Sequence, residues 1–227
     1  MLRDMFFPKF CVGCGYVGTH ICTYCVNKLS YFAPDICIYC HRASVGGLTH
    51  PACRRRGGIR GFVTIFHYNT PLKRIIKSIK YRRARTVWGE LASIIDPHVL
   101  TKLSPYKRSS EDLVIQPIPL HSIRYKERGF NQADLVAQWL SLIIEKPIVD
   151  YLRRVKHTSA QAQLLRRVER HRNMQSAFDL KQDVRIKDRS VIIVDDVVTS
   201  GSTSKSAAST LLKNGAERVY IFSLAKG

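Results

Sequence analysis

From residue 61 onward the chain alternates two kinds of hydrophobic pattern. Phe62, Val63, Ile65, Phe66 and Tyr68 crowd into a short β-branched and aromatic run, the mark of a strand. Pro71 then opens a segment in which Leu72, Ile75, Ile76 and Ile79 recur at three- and four-residue intervals, the spacing of one helix face. The same logic predicts a helix around 88–95, a polar stretch over 104–112, a strand over 113–118, a helix over 131–145 and a short strand over 148–152. Val191-Ile-Ile-Val194 carries no polar interruption and reads as a fully buried strand. A helix over 203–214 ended by Gly215 and a last strand over 218–225 complete the series. Strands separated by helices predict an α/β domain: a mostly parallel sheet flanked by helices on both faces, with ligands gathering beyond the carboxyl ends of its strands.

The first 58 residues do not follow this pattern. All seven cysteines lie there, as Cys11-x-x-Cys14, Cys22-x-x-Cys25, Cys37-x-x-Cys40 and Cys53. A C-x-x-C knuckle brings two thiolates to one zinc ion, and two knuckles complete a tetrahedron. Cys11, Cys14, Cys22 and Cys25 supply one set. His50-Pro-Ala-Cys53 offers H-x-x-C to Cys37 and Cys40 for a second, with His20 and His41 as alternative nitrogen ligands. A crossed arrangement of the pairs is equally compatible with the spacing. About 55 residues bury too little surface to be secure alone, whereas zinc contributes roughly 10–16 kcal/mol of apparent folding free energy in small zinc peptides. Two zinc ions are therefore expected, both structural, because four protein ligands leave no open position. The basic, glycine-containing segment 54–60 marks a boundary, which divides the chain into a zinc-binding unit over 1–58 and an α/β unit over 59–227.

Composition adds a strong charge imbalance. The 227 residues hold 37 Lys and Arg against 17 Asp and Glu, a net charge of +20, with 45% hydrophobic residues. That composition excludes collagen-like, low-complexity and wholly disordered chains. No apolar run approaches the roughly 18 residues of a membrane span, and the first ten residues have no apolar signal core, so a cytoplasmic location is expected. The excess cations concentrate in 73–85, which has no acid, and in 153–172, where Glu169 is the single acid. Lys77, Lys80, Arg82, Arg83, Arg166 and Arg170 are candidate nucleic-acid contacts, with Tyr68, Tyr81 and Tyr125 as stacking faces. Ordinary solvated helix faces are the plainer alternative.

One strand end carries candidate chemistry. Val191-Ile-Ile-Val-Asp195-Asp196-Val-Val-Thr199-Ser200-Gly201-Ser202-Thr203 runs from a buried strand through two acids into a turn rich in hydroxyls that opens a helix. The first N–H groups of a helix lack intrahelical partners and sit at the positive end of its dipole, which suits a phosphate. Asp195 and Asp196 suit sugar hydroxyls or the waters of Mg²⁺. The segment is no Walker A loop, because Lys205 falls four residues after its only glycine, and it lacks the repeated glycines of a dinucleotide fold. A capped helix with solvated acids is the structural alternative.

This segment resembles the ribose-phosphate loop of type I phosphoribosyltransferases. Further segments are similar to the ComF family of phosphoribosyltransferase-like competence proteins: the cysteine-rich head, Pro71 to Tyr81, Pro117-Ile-Pro119-Leu-His121 leading to Arg128-Gly129-Phe130-Asn131-Gln132, and Thr158-Ser-Ala-Gln161 with Arg170-His-Arg-Asn173. Ser200 departs from the usual threonine and His50 from an expected cysteine. The resemblance implies that Asp195 and Asp196 meet ribose hydroxyls of phosphoribosyl pyrophosphate (PRPP) bound with Mg²⁺, and that Thr199, Ser200, Gly201, Ser202 and Thr203 hold its 5′-phosphate. It implies a pyrophosphate loop from Leu120 through Arg124 to Arg128 and Gly129, and a flexible loop over 156–172. It further implies single-stranded DNA as a partner during natural transformation, a competence helicase as another, and a place beside the inner membrane through such partners. The alternative is a working Mg²⁺-dependent transferase that moves the phosphoribosyl group to a base or amine and releases pyrophosphate. No general base identifies itself; Glu127 and His121 lie near the right loop, and a local structural role is expected for His121.

Overall fold

The computed structural model describes residues 8–55, 57–80, 84–109, 112–155 and 177–227. Its strands are β1 (Ile59–His67), β2 (Leu113–Pro117), β3 (Leu152–Arg154), β4 (Phe178–Leu180), β5 (Ser190–Val198) and β6 (Arg218–Lys226). Four of them form one sheet in the order β1-β6-β5-β2, with every pairing parallel. Ile148 adds a parallel bridge to Ile115 on the outer side of β2, and β3 and β4 pair antiparallel as a separate ribbon. Side chains on successive positions of β5 enter different cores: Ile192 and Val194 one, Val191 and Ile193 the other. That is the two-residue period of a strand buried on both sides.

The helices are α1 (Thr23–Val26), α2 (Thr70–Ile79), α3 (Ala84–Ser93), α4 (Ser104–Lys107), α5 (Ser122–Arg128), α6 (Gln132–Ile144) and α7 (Ser202–Lys213). Leu72, Ile75, Ile76 and Ile79 of α2, with Val136, Ala137, Leu140 and Ile144 of α6, cover one face of the sheet. Ala207, Ala208 and Leu211 of α7 cover the other. The sheet is thus flanked on both faces, as the sequence pattern predicts. Asn69 caps α2 by accepting from the Leu72 N–H at 3.1 Å, and Asn131 caps α6 by accepting from Ala133 N–H at 3.3 Å.

Several expectations change. The short strand expected over 148–152 is reduced to the Ile148 bridge, and Leu152 instead opens β3 of the separate ribbon. The strand predicted to stop at Val194 continues to Val198, because Asp195, Val197 and Val198 stay in register with Ser223, Ala225 and Lys226. The polar stretch 104–112 contains α4, held by Tyr106, which is buried and donates its hydroxyl to the Gly46 carbonyl at 2.9 Å. The segment expected to be a loop after β2 is largely the helix α5, which buries none of its residues and so leaves no periodic hydrophobic signal.

The cysteine-rich head is stitched along β1, the edge of the sheet. Phe32 N–H donates to Ile65 O, His67 N–H to Ser30 O and Thr49 N–H to Arg60 O, each at 2.8 Å. These bonds satisfy edge groups that would otherwise be open for pairing with another chain. Gly47 crosses so close that a Cβ there would sit 1.9 Å from the Phe62 carbonyl oxygen. The Lys102 ammonium binds the carbonyls of Phe32 and Thr64 at 3.0 and 3.1 Å and the Asp35 carboxylate at 2.8 Å. Cys11, Ile21, Cys22 and Cys25 belong to the same hydrophobic core as Leu72 and Leu91, so the metal knuckles and the sheet share one interior.

Glu90 of α3 is the densest of these ties. Its carboxylate accepts from the backbone N–H of His20 at 3.0 Å and of Ile21 at 2.9 Å, and lies 2.8 Å from His20 Nδ1. Glu90→Ala leaves these buried donors without an acceptor, a loss of about 1–3 kcal/mol. The expected fall in Tm is about 2–4 °C per kcal/mol at this chain length. Fluorescence of the two tryptophans, an edge-to-face pair 6.3 Å apart, reports the unfolding.

Candidate functional site

The head gathers two ligand sets. The sulfurs of Cys11, Cys14, Cys22 and Cys25 lie within 4.8 Å of one another, as do the ligand atoms of Cys37, Cys40, His50 and Cys53. The pairing is therefore sequential and not crossed. His50 is the nitrogen donor: its Nδ1 is 3.3 Å from Cys40 Sγ, while Nε2 lies 3.0 Å from the Ala43 carbonyl, a bond that fixes the ring's orientation toward the thiols. His20 is engaged with Glu90, and His41 is exposed.

The knuckle backbones favour thiolate at Cys11, Cys37 and Cys40, whereas burial and the neighbouring thiols push Cys14, Cys25 and Cys53 up. Burial pushes the Cys11 thiol up, but N–H groups of Cys22, Gly13 and Cys14 outweigh it and bring it down to about 6. Cys40 is likewise lowered to about 6, chiefly by the Arg42 backbone N–H. Four-donor sets of soft sulfur and imidazole fit zinc.

The second constellation sits at the carboxyl ends of β5 and β2. From β2 the chain passes outward through α6 to the bridge at Ile148, yet β5 lies on the opposite side of β2. The gap between β2 and β5 is therefore the topological switch point, where ligands bind in sheets of this kind. The alternation of β5 shifts at the two acids: beyond them Val197 packs with the core of Ile192 and Val194, and Val198 with that of Val191 and Ile193. Asp195 and Asp196 lie at that shift with their carboxyl groups in contact.

Cations from two different elements reach the acid pair. Lys80, at the C-terminal cap of α2, pairs with Asp196 at 3.0 Å, both less than one third exposed. Arg154 of β3, partly buried, interacts with Asp195 and has Arg124 beside it. Burial foremost, then the neighbouring Asp196 charge, holds the Asp195 carboxyl well above the ordinary carboxylate range.

Beyond the acids the chain turns into α7. Gly201 occupies the left-handed region at φ 70° and caps the helix without a side-chain bond. Thr199 and Ser200 are exposed, and Ser202 and Thr203 partly so. The hydroxyls of Ser200 and Ser202 are 3.0 Å apart, and the Ser202 N–H reaches Ser200 Oγ at 3.4 Å. A positive helix end thus meets a cluster of hydroxyls beside two carboxylates. Hard oxygen donors of this kind fit Mg²⁺, and the Lys80 ammonium on Asp196 shows that a cation is accommodated there.

At the end of β2, His121 caps α5 by accepting from Ile123 N–H, consistent with the local role expected for it. Gly129 ends the helix in the left-handed conformation, and Arg128 donates to Gln132 Oε1 at 2.8 Å. Asn131 is buried and donates to the Ile118 carbonyl at 3.0 Å and to Asp134 at 2.9 Å, fixing α6 to the end of β2. These bonds explain why Arg-Gly-Phe-Asn-Gln forms a unit. A cleft of about 680 Å³ opens beside it, lined by Pro119, Tyr125, Asp134, Arg153 and Arg154 among others.

Of the expected nucleic-acid contacts, Lys77 is exposed on α2 together with Lys73, whereas Lys80 is turned toward Asp196. Arg82, Arg83, Arg166, Arg170, Tyr81 and the loop expected over 156–172 lie outside the described residues. Arg154 and the second role of Lys80 escaped the sequence pattern. Both reach the acids through tertiary contacts from elements distant in the chain, and no local spacing encodes such a meeting.

A parallel sheet with an acid pair and a hydroxyl-glycine turn at its switch point defines a phosphoribosyltransferase-type domain, and the phosphoribosyl transferase domain family matches residues 126–227. The chain is 30% identical over 207 residues to competence protein F of Haemophilus influenzae, covering 90% of this chain and 84% of that one. It is 33% identical over 168 residues to the DNA utilization protein YhgH of Salmonella typhimurium, covering 72% and 71%. It is 27% identical over 205 residues to competence protein ComFC of Bacillus subtilis, covering 86% and 79%. The chain belongs to this family of competence proteins, the ComF family. Among the described residues no helix is long and apolar enough to cross a membrane.

Elemental analysis of the purified chain should find two zinc equivalents; His50→Ala should lower this to one, and His50→Cys should restore it. The acid pair has a signature of its own. Asp195, with its pKa raised in the folded state, contributes most to stability below the ordinary value near 3.8 and loses that contribution as pH rises through the raised value. Asp195→Asn should therefore raise Tm at neutral pH, with the gain vanishing in acid, and a melting series against pH checks it.

Proposed function

We propose that this protein handles single-stranded DNA during natural transformation and carries a PRPP-type site at the switch point of its sheet. Its relatives named for competence and for DNA utilization support the first half. The observation that carries it is α2, a helix without a single acid whose Lys73 and Lys77 face solvent while its far end touches the acid pair. Exposed cations of this kind neutralise backbone phosphates and release counterions. Tyr125, exposed at the mouth of the β2 cleft, offers a stacking face.

In the PRPP-type site, Thr199, Ser200, Gly201, Ser202 and Thr203 receive the 5′-phosphate at the positive end of α7, and Asp195 and Asp196 accept bonds from the ribose hydroxyls. Arg124, Arg128 and Arg154 border the side where pyrophosphate lies. Mg²⁺ bound with PRPP would screen the charge of the leaving pyrophosphate. The acid and hydroxyl loop at β5 also favours a second reading, transfer of the phosphoribosyl group to a base or amine acceptor. The two zinc ions are structural, and the protein works in the cytoplasm, near the inner membrane when bound to partners such as a competence helicase.

Binding of a single-stranded oligonucleotide should weaken steeply with salt. Lys73→Ala with Lys77→Ala should flatten the log–log slope by about 0.7 for each phosphate that is no longer neutralised. Affinity indifferent to salt would remove the DNA reading. Calorimetric titration of Mg²⁺ and PRPP should show binding that Asp195→Asn with Asp196→Asn abolishes; release of pyrophosphate when acceptors are added would make the protein an enzyme.

A further inference from the structure

Lys80 stands between the two parts of the proposed function. It ends α2, and Lys73, Lys77 and Lys80 follow one another at four and three residues, the spacing of a single stripe along a helix. Lys73 and Lys77 face solvent, whereas Lys80 turns inward to Asp196 at 3.0 Å. The stripe available to a polyanion therefore runs into the acid that a sugar or Mg²⁺ would use. Lys80 remains 28% exposed at its side chain and Asp196 19%, so the pair is open at one side to solvent and to an incoming phosphate.

We propose that the Lys80–Asp196 ion pair is a latch shared by the two ligands. This rests on the function proposed above. A nucleic-acid phosphate seated on Lys73 and Lys77 draws Lys80 into the same row of contacts and leaves Asp196 open to Mg²⁺ and ribose hydroxyls. Conversely, a sugar phosphate with Mg²⁺ occupies Asp196 and releases Lys80 to the strand. Both ligands compete with the internal ion pair rather than with each other, so the cost of opening it is met once and each ligand tightens the other. Thermodynamic linkage makes the effect reciprocal. Lys80 is in this sense a positioning residue that couples DNA binding to the sugar-phosphate site.

The test is calorimetric titration of Mg²⁺ and PRPP, at one fixed salt concentration, with and without an oligothymidylate strand. It uses the full zinc-loaded chain, Lys80→Gln and Lys80→Arg, with Lys80→Met as a second neutral variant that keeps the aliphatic stem. Repulsion between the two anionic ligands is common to all, so the latch is read as a difference between variants. The strand should improve PRPP affinity by up to about fivefold more in the wild type and Lys80→Arg than in the neutral variants, the scale of a partly exposed ion pair. An equal effect of the strand in all variants overturns the latch and leaves the proposed function standing. Failure of the wild type to bind either ligand overturns both.

Discussion

A strand buried on both faces offers no indifferent place for a charge, and β5 is such a strand. Its first residues feed two separate cores in alternation as far as Val194, and at Asp195 and Asp196 that alternation shifts, so that Val197 joins the first core and Val198 the second. The two acids fall at the shift, side by side at the strand end. Everything around the site answers to that constraint. Lys80 arrives from a helix laid against the first core, and Arg154 from a ribbon whose Leu152 belongs to the second. The turn into α7 then places hydroxyls and a positive helix end just beyond both.

The head solves a different physical problem. β1 is a sheet edge, and an uncovered edge invites pairing with other chains. Segments around Tyr31 and Leu48 bridge it, and the Lys102 and Glu90 contacts bind the knuckles to α3 and the neighbouring turns. The knuckles and the sheet share packing as a result: Cys11, Cys22 and Cys25 belong to the same interior that α2 fills. The candidate metal sets and the acid pair are both touched by α2, whose Arg74 donates to the Gly13 carbonyl at 2.7 Å and whose terminal Lys80 pairs with Asp196.

Electrostatics at β5 shows a trade between folding and binding. Two carboxylates close together, one of them largely desolvated, oppose the folded state at neutral pH. Lys80 and Arg154 relieve part of the repulsion. A ligand that brings Mg²⁺ and hydroxyl donors can relieve more, so the unfavourable arrangement of the bare site is available as binding energy.

Much of this was legible in the chain. The hydrophobic periods located α2, α6, α7 and the core strands because burial acts on every turn or pleat and leaves a repeated local signal. The C-x-x-C spacings picked out the cysteines of both candidate metal sets because a knuckle is a local structure. The motif from Asp195 to Thr203 was visible for the same reason. The sequence could not determine which knuckles share an ion, that His50 rather than His20 or His41 completes the second set, or that α5 forms without an apolar face. Nor could it determine that Lys80 meets Asp196 or that Arg154 comes near Asp195. Those are meetings between elements brought together by the crossing of the chain over the sheet, and the separation along the sequence carries no trace of a distance in space.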